Sequence, residues 1–340
     1  MKIVLAEHLG MCFGVRDAIA LAVKQSQNEP ITILGDLVHN ETVLAELRAR
    51  GIQITRDVSE VTTAGVMVTA HGASEKTLGQ VRRRGLHVTE ATCPLVHVAH
   101  RAVAKLAGDG FHPVIVGKRD HVEVRGLTED LADFDVILSE SDVYDLKEHP
   151  RFGVAAQTTQ PIDKVRQLVE LLRQRFPNSE VRFIDTVCQP TKQRQNAAIE
   201  LAQQSNVVVV IGGAHSNNTH ELVKTCQRYC PRVRHVQGVN DLQEEWFQGA
   251  QTVGITAGTS TPDKSIRAVE EWLKELASRL GNGSQVFVLS QTVLPNPGPL
   301  PQELEKILPA DLQLEPENEW DQFNGFHVPL DTKSKTKGNI

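Results

Sequence analysis

Aromatic side chains make up only 4% of the sequence, which leaves few platforms on which bases could stack. Cationic residues are also in the minority. Lys and Arg number 36 against 42 Asp and Glu, a formal net charge of -6, so a general nucleic-acid role has no electrostatic support. No apolar run is long enough to cross a bilayer, and no membrane partner is expected. The N-terminal stretch MKIVLAEHLGMCFG turns polar at Glu7 and His8 after a short apolar run, which argues against a secretory signal. Cysteine is sparse and odd in number, five in all. That count argues against a disulfide framework and for reduced thiols in a cytoplasmic setting. Neither a Walker P-loop nor a GxGxxG fingerprint is found. What remains is ordinary for a globular protein: 40% hydrophobic and 23% charged over 340 residues, enough for two or three domains.

The positive signal is repetition. Three cysteines each follow a strand-like run and precede a helix-like run: KIVLAEHLGMC before GVRDAIALAV, LHVTEATCP before LVHVAHRAVAKLA, and VRFIDTVCQP before KQRQNAAIELA. The helices show in their period. Val15, Ala18, Ile19, Ala22 and Val23 share one face, as do Val96, Ala99, Val103 and Leu106. A second triple is ITILG leading to Val38-His39-Asn40, PVIVG to Asp120-His121-Val122, and VVVVIGG to Ala214-His215-Ser216. A third is VMVTAHGAS, FGVAAQTTQ and TVGITAGTS. The markers step together. Cys12 to Cys93 is 81 residues and Cys93 to Cys188 is 95; Gly35 to Gly117 is 82 and Gly117 to Gly212 is 95; Ala70 to Ala156 is 86 and Ala156 to Ala257 is 101.

The expected fold class is α/β: three similar domains with small parallel sheets around a pseudo-threefold axis. The boundaries are set at residues 10–94, 95–189 and 190–289, the last joined by residues 1–9. In open α/β sheets functional groups collect at the carboxyl ends of strands, where all three marker sets fall. PIDKVRQLVELLRQRF, Pro161 to Phe176, fits a surface helix with Pro just inside its start. The Arg82–Arg84 run fits a solvated helix face. Residues 290–340, rich in Pro and acidic residues, have the character of a tail, with Trp320, Phe323 and Phe326 as possible anchors.

Three cysteines at equivalent strand–helix junctions make a three-thiolate site near helix N-termini, where the helix dipole favours thiolate. Three thiolates can hold a [4Fe–4S] cluster and leave one iron open as a Lewis acid. Zinc with three thiolates and water fits the same residues. Cys226 and Cys230 fall outside the repeated positions and are assigned to core or surface. A second constellation is polar: His39, His71, His121, Thr158, Ser216, Asn217, Asn218 and Ser260 all sit at strand ends. Such a set offers many hydrogen bonds to a small enclosed anion. Glu123 follows His121 by two residues, so an extended segment would aim both the same way. There it could relay a proton or simply be a surface carboxylate.

Taken in order, Gly10-Met-Cys-Phe-Gly-Val-Arg-Asp-Ala-Ile, Val38-His-Asn, Ala70-His-Gly, Ala91-Thr-Cys-Pro, His121-Val-Glu-Val-Arg-Gly, Gln157-Thr-Thr, Cys188 with Thr191 and Arg194-Gln195, Ser216-Asn-Asn-Thr, and Thr256-Ala-Gly-Thr-Ser resemble one family. It is the 4-hydroxy-3-methylbut-2-enyl diphosphate reductases, or LytB proteins, which end the methylerythritol phosphate route to isoprenoids. The resemblance runs to about residue 290. It implies one [4Fe–4S] cluster per chain on Cys12, Cys93 and Cys188. It implies a diphosphate held by His39, His71, His121, Ser216, Asn217, Asn218 and Ser260. Glu123, with Thr158 beside it, would deliver a proton to the leaving hydroxyl. A ferredoxin or flavodoxin would supply electrons, and isopentenyl and dimethylallyl diphosphate would be the products. The sequence departs from the family at Val122, where Pro is usual, and at His215, where Asn is usual. Two rivals stand beside this reading: a quinolinate-synthase-like dehydratase, which would need Arg or Lys anchors for a dicarboxylate, and a cluster-bearing sensor without turnover.

Overall fold

The computed structural model describes residues 1–280 and 285–288. The tail and its three aromatic residues lie outside the described residues. The chain opens with strand β1 (Lys2–Leu5) and helix α1 (Phe13–Ser26). A first unit follows: β2 (Ile31–Leu34), α2 (Glu41–Ala49), β3 (Gln53–Thr55), β4 (Gly65–Val68), α3 (Glu75–Arg83) and β5 (His87–Glu90). The second is α4 (Pro94–Gly108), β6 (His112–Val116), α5 (Val122–Thr128), β7 (Asp135–Ile137), α6 (Glu140–Asp145), β8 (Arg151–Ala156), α7 (Ile162–Arg175) and β9 (Glu180–Phe183). The third is α8 (Gln189–Gln203), β10 (Val207–Ile211), α9 (Asn217–Gln227), β11 (Val233–Val236), β12 (Thr252–Ala257), α10 (Asp263–Arg279) and β13 (Gln285–Val288).

The strands form three wholly parallel sheets, ordered β3-β2-β4-β5, β7-β6-β8-β9 and β11-β10-β12-β1-β13. One order recurs. In the third sheet β1 takes the place that β5 and β9 hold in the others, so the N-terminal strand pairs with β12. Each of these three strands leads to one of the three marker cysteines.

Parallel sheets are covered on both faces, and their central strands read as unbroken apolar runs. In β10 the pleat divides VVVVI between two cores. Val207, Val209 and Ile211 pack with Ile3 and Phe247, while Val208 and Val210 pack with Val4 and Leu201. The second sheet divides in the same way, Val114 and Val116 to one face and Ile115 to the other. Burying each such side chain contributes roughly 1.5–3 kcal/mol relative to exposure. The first sheet is thinner on one side, where a small cluster of Val61, Val66 and Val81 closes it.

Strand ends repeat as closely as the sheets. Gly35, Gly117 and Gly212 follow the central strands and donate their N–H groups to Thr55, Ile137 and Val236, the last residues or ends of the neighbouring edge strands. Gly35 needs its glycine, since its φ is 100°. Four residues past each glycine stand His39, His121 and Ser216. The third copy is therefore matched by Ser216, not by His215, which is exposed. The third marker set also shifts. Cys12, Cys93 and Cys188 donate their backbone N–H groups to Thr259, Ala70 and Thr158. Ala70 thus corresponds to Thr158 and Thr259, two residues along from the Ala156 and Ala257 matched by sequence. The reason is that β4 ends at Val68, so Thr69-Ala70-His71 already belongs to the loop.

Candidate functional site

Cys12, Cys93 and Cys188 are the N-cap residues of α1, α4 and α8. Pro94 and Pro190 fit the first turns of α4 and α8, where no donor is lost. None of the three thiols makes a side-chain cap hydrogen bond. The three are close enough to feel one another. Burial first, then negative charge on Cys12 or Cys188, holds Cys93 up at about 12 against the pull of the Leu95 and Val96 amides. Burial likewise raises Cys188 to about 11, opposed by Thr191, whose Oγ1 lies 3.1 Å from the sulfur. Gly14, in the first turn of α1, presses on Cys93. A Cβ there would collide with its Sγ. Cys226 and Cys230, by contrast, are buried in the third unit's core, their sulfurs facing backbone carbonyls of Ala198, Ser205 and Asn206.

Sequence reasoning named Arg194 only as part of a motif. The structure places it beside the thiols, buried, with Nε and Nη2 donating to the Gly10 carbonyl at 3.0 and 2.8 Å. Charge on Cys12 or Cys188 favours its protonated form, against the lowering that burial imposes. A signal was present. Thr191, Arg194, Gln195 and Ala198 follow helical spacing, so α8 turns a polar face inward. Thiol donors with a cation beside them fit a soft metal centre better than a hard one.

Glu123 is 1% exposed. It is not on an extended segment, as its spacing from His121 had indicated. It lies in the first turn of α5, with His121 as N-cap, and the imidazole Nδ1 accepts the Glu123 N–H at 3.2 Å. The carboxylate turns instead to Thr158, whose N–H donates to Oε1 at 2.6 Å. The Thr158 carbonyl in turn accepts the Cys188 N–H. One residue thus ties acid to thiol, and charge on Glu123 is felt at Cys188. Burial raises Glu123 to about 7, although the Thr158 hydrogen bonds pull it down. Val122 is the first residue of α5, a position at which Pro is favoured, so the departure removes a preset φ without breaking the helix.

Three imidazoles meet beside Glu123. His39 stacks on His71 with ring centroids 4.4 Å apart, and His121 meets both edge-on at 4.9 and 5.4 Å. The Nε2 atoms of His39 and His121 are 3.1 Å apart. Burial, then the neighbouring imidazoles, holds His71 well below the usual range and His121 at about 3. Burial also lowers His39, against the field of Asp36. His71 Nε2 is buried with no hydrogen-bond partner among the described residues.

The third unit closes the group. Ser260 Oγ donates to the His39 carbonyl at 3.3 Å, and Asn217 Nδ2 donates to Thr159 Oγ1 at 3.1 Å. Asn218 Oδ1 accepts the Thr259 N–H at 3.0 Å, while its Nδ2 is buried without a partner. Ser216 caps α9 through the Thr219 N–H. Gly213 lets the chain approach the His39 carbonyl so closely that no Cβ would fit. The structure thus brings His39, His71 and His121 into one cluster, with Ser260 and Gly213 against His39. Asn217 instead bonds Thr159, which the sequence named only as part of the Gln157-Thr-Thr motif.

A family model described as LytB protein matches residues 3–274. The chain belongs to the LytB family. Among curated relatives it is 35% identical over 280 residues to the 4-hydroxy-3-methylbut-2-enyl diphosphate reductase of Syntrophotalea carbinolica, covering 82% of this chain and 100% of that one. It is 38% identical over 266 residues to the enzyme of the same name from Citrifermentans bemidjiense, covering 77% and 93%. A solved (E)-4-hydroxy-3-methyl-but-2-enyl diphosphate reductase, the terminal enzyme of the non-mevalonate pathway, aligns with a TM-score of 0.59 at 34% identity, covering 81% of this chain and 99% of that one. The corresponding Plasmodium falciparum reductase aligns with a TM-score of 0.77 at 24% identity, covering 90% and 97%, which bears on the fold alone. Among the described residues no helix is long and apolar enough to cross a membrane.

Proposed function

We propose that this chain is a 4-hydroxy-3-methylbut-2-enyl diphosphate reductase, an oxidoreductase of the cytoplasm. It removes the substrate hydroxyl as water and yields isopentenyl and dimethylallyl diphosphate, the last step of the methylerythritol phosphate route. The observation that carries this reading is the meeting of three thiols, one following a strand of each sheet, with buried Glu123 and three imidazoles. Neither the dehydratase nor the sensor reading finds support among the relatives.

Cys12, Cys93 and Cys188 would hold one [4Fe–4S] cluster; the all-sulfur donor set and the cation of Arg194 suit it. When bound, the cluster supplies electrons, drawn from a ferredoxin or flavodoxin, and a Lewis-acidic iron. The chain's own residues do the rest. His39, His71 and His121, neutral before binding, would turn N–H donors to the diphosphate, and Ser216, Asn217, Asn218 and Ser260 would complete the grip. An anion there also favours protonated imidazole, which strengthens each contact. Glu123, with Thr158 holding its Oε1, would carry the proton to the leaving hydroxyl, and at about 7 it is partly protonated at neutral pH. The balance is two electrons and two protons in, one hydroxyl lost as water and one C–H bond formed. Each of the three sheets would lend one thiol: Cys12 after β1, Cys93 after β5 and Cys188 after β9.

Anaerobic incubation with 4-hydroxy-3-methylbut-2-enyl diphosphate and a chemical reductant, followed by product analysis, tests the reading. Isopentenyl and dimethylallyl diphosphate are expected. Unchanged substrate with protein carrying its full iron would refute it.

A further inference from the structure

The second sheet has another constellation at its opposite end. His112 opens β6, Asp133 lies in the loop before β7, and His149 lies in the loop before β8. One donor atom from each falls within 4.8 Å of the other two. The three line a cleft of about 400 Å³ with Phe111, Leu131 and Pro150. None belongs to the cysteine–histidine site, and the proposal stands whether or not the reductase reading does.

We propose that His112, His149 and Asp133 bind a divalent transition-metal ion of the zinc class. The donor chemistry points there: two imidazole nitrogens and one carboxylate oxygen suit a borderline ion, whereas calcium and magnesium favour oxygen ligands throughout. His112 is already oriented for it. Its Nε2 is 2.8 Å from Asp135 Oδ2, and its Nδ1 is 3.6 Å from Asp133 Oδ2. A carboxylate on the far nitrogen is the partner that fixes a ligating imidazole in metal sites. The His112 side chain is 7% exposed, so that orientation is enforced by packing as well.

The cleft is lined by one carboxylate, Asp133, with Asp135 behind His112, and Arg151 is the one Lys or Arg among its described lining residues. Arg151, the nearest guanidinium, is engaged elsewhere: Nε donates to Glu180 at 2.9 Å, Nη1 to the Asp109 carbonyl at 2.7 Å, and its plane lies over Phe111. Ligands around a tetrahedral ion sit about 3.3 Å apart, so the donors must close by roughly an ångström. The two loop members have room to do so. Asp133 is exposed, and His149 is half-buried on a loop. The present stack, His112 on His149 with centroids 3.7 Å apart and planes at 10°, would splay, because an ion lies near the plane of each ring it binds. The cleft leaves space for water as the remaining ligand. One ion would then tie the start of β6 to the loops before β7 and β8.

The test is zinc titration of the anaerobic, cluster-bearing protein, followed by gel filtration and metal analysis. Wild type is expected to retain ~1 zinc per chain with roughly micromolar or tighter affinity. His149→Ala and Asp133→Asn, both at accessible loop positions, should lose that zinc while iron content and turnover stay unchanged. Asp135→Asn should weaken it about 10–100-fold. Cobalt bound in place of zinc should show no sulfur-to-metal charge-transfer band. Equal zinc retention by wild type and the two loop variants would overturn the proposal, as would a sulfur-ligated cobalt spectrum or failure of wild type to retain zinc.

Discussion

The two histidine clusters are built from the same side chain and sit in opposite electrostatic surroundings. At the carboxyl ends of the strands, His39, His71 and His121 face one another, and among the described residues no carboxylate is in hydrogen-bond contact with their rings; Asp36 acts on His39 through its field and is itself paired with Arg56. At the other end of the second sheet, His112 is held between Asp133 and Asp135. The first cluster presents neutral rings with an unpartnered nitrogen, which suits a ligand that brings negative charge. The second presents lone pairs backed by carboxylates, which suits a cation. Histidine content says nothing about this difference; the neighbours decide it.

The largest way to break the comparison is Cys12→Ser. It should abolish cluster iron and turnover together, measured by iron analysis and viologen assay, while zinc retention at His112 persists. Next is Glu123→Gln, expected to keep full iron yet lower turnover by about 10²–10⁴-fold. Its pH dependence has a defined sign. A carboxyl raised to about 7 donates a proton below that pH, so wild-type turnover should fall as pH rises through it. Stability follows the same group. The folded state holds a proton that the unfolded state releases near 4.5, so stability present below 4.5 is lost as pH rises to about 7. Glu123→Gln should flatten that loss, a difference of up to about 3 kcal/mol at pH 8 by denaturant unfolding.

A smaller effect separates the clusters directly. His71→Ala should raise the KM for the diphosphate about 10–100-fold, the scale of one or two hydrogen bonds to a charged group, and His149→Ala should leave it unchanged. The smallest is Val122→Pro. At the first residue of α5, whose N–H donates to no backbone carbonyl among the described residues, proline should stabilise by about 0.4–1 kcal/mol with turnover retained, visible as a higher thermal midpoint.

The cysteines were legible in the sequence because each sits where a strand run meets a helix run, a junction that local pattern marks well. Three parallel sheets were legible for the same reason. The errors arose where position depends on a loop's course. His215 was taken as the repeat marker where Ser216, named for the site itself, is the true counterpart of His39 and His121, because two neighbouring polar residues look alike until one is buried. Glu123 was placed on an extended segment because nothing local marks His121 as a helix cap. Arg194 went without a role because a buried arginine on a polar helix has the spacing of an exposed one. The Thr158 link from Glu123 to Cys188, and the His112–Asp133–His149 group, join residues far apart in the chain. No local pattern carries such contacts; the sheets create them.

The account rests most on Glu123 and the three thiols acting on one substrate. Stopped-flow oxidation of reduced viologen by anaerobic wild type and Glu123→Gln, matched for iron and given 4-hydroxy-3-methylbut-2-enyl diphosphate, tests that directly. Rapid substrate-dependent oxidation by wild type and slow oxidation by the variant is the predicted result. No oxidation by iron-replete wild type, or equal rates in both proteins, would contradict it.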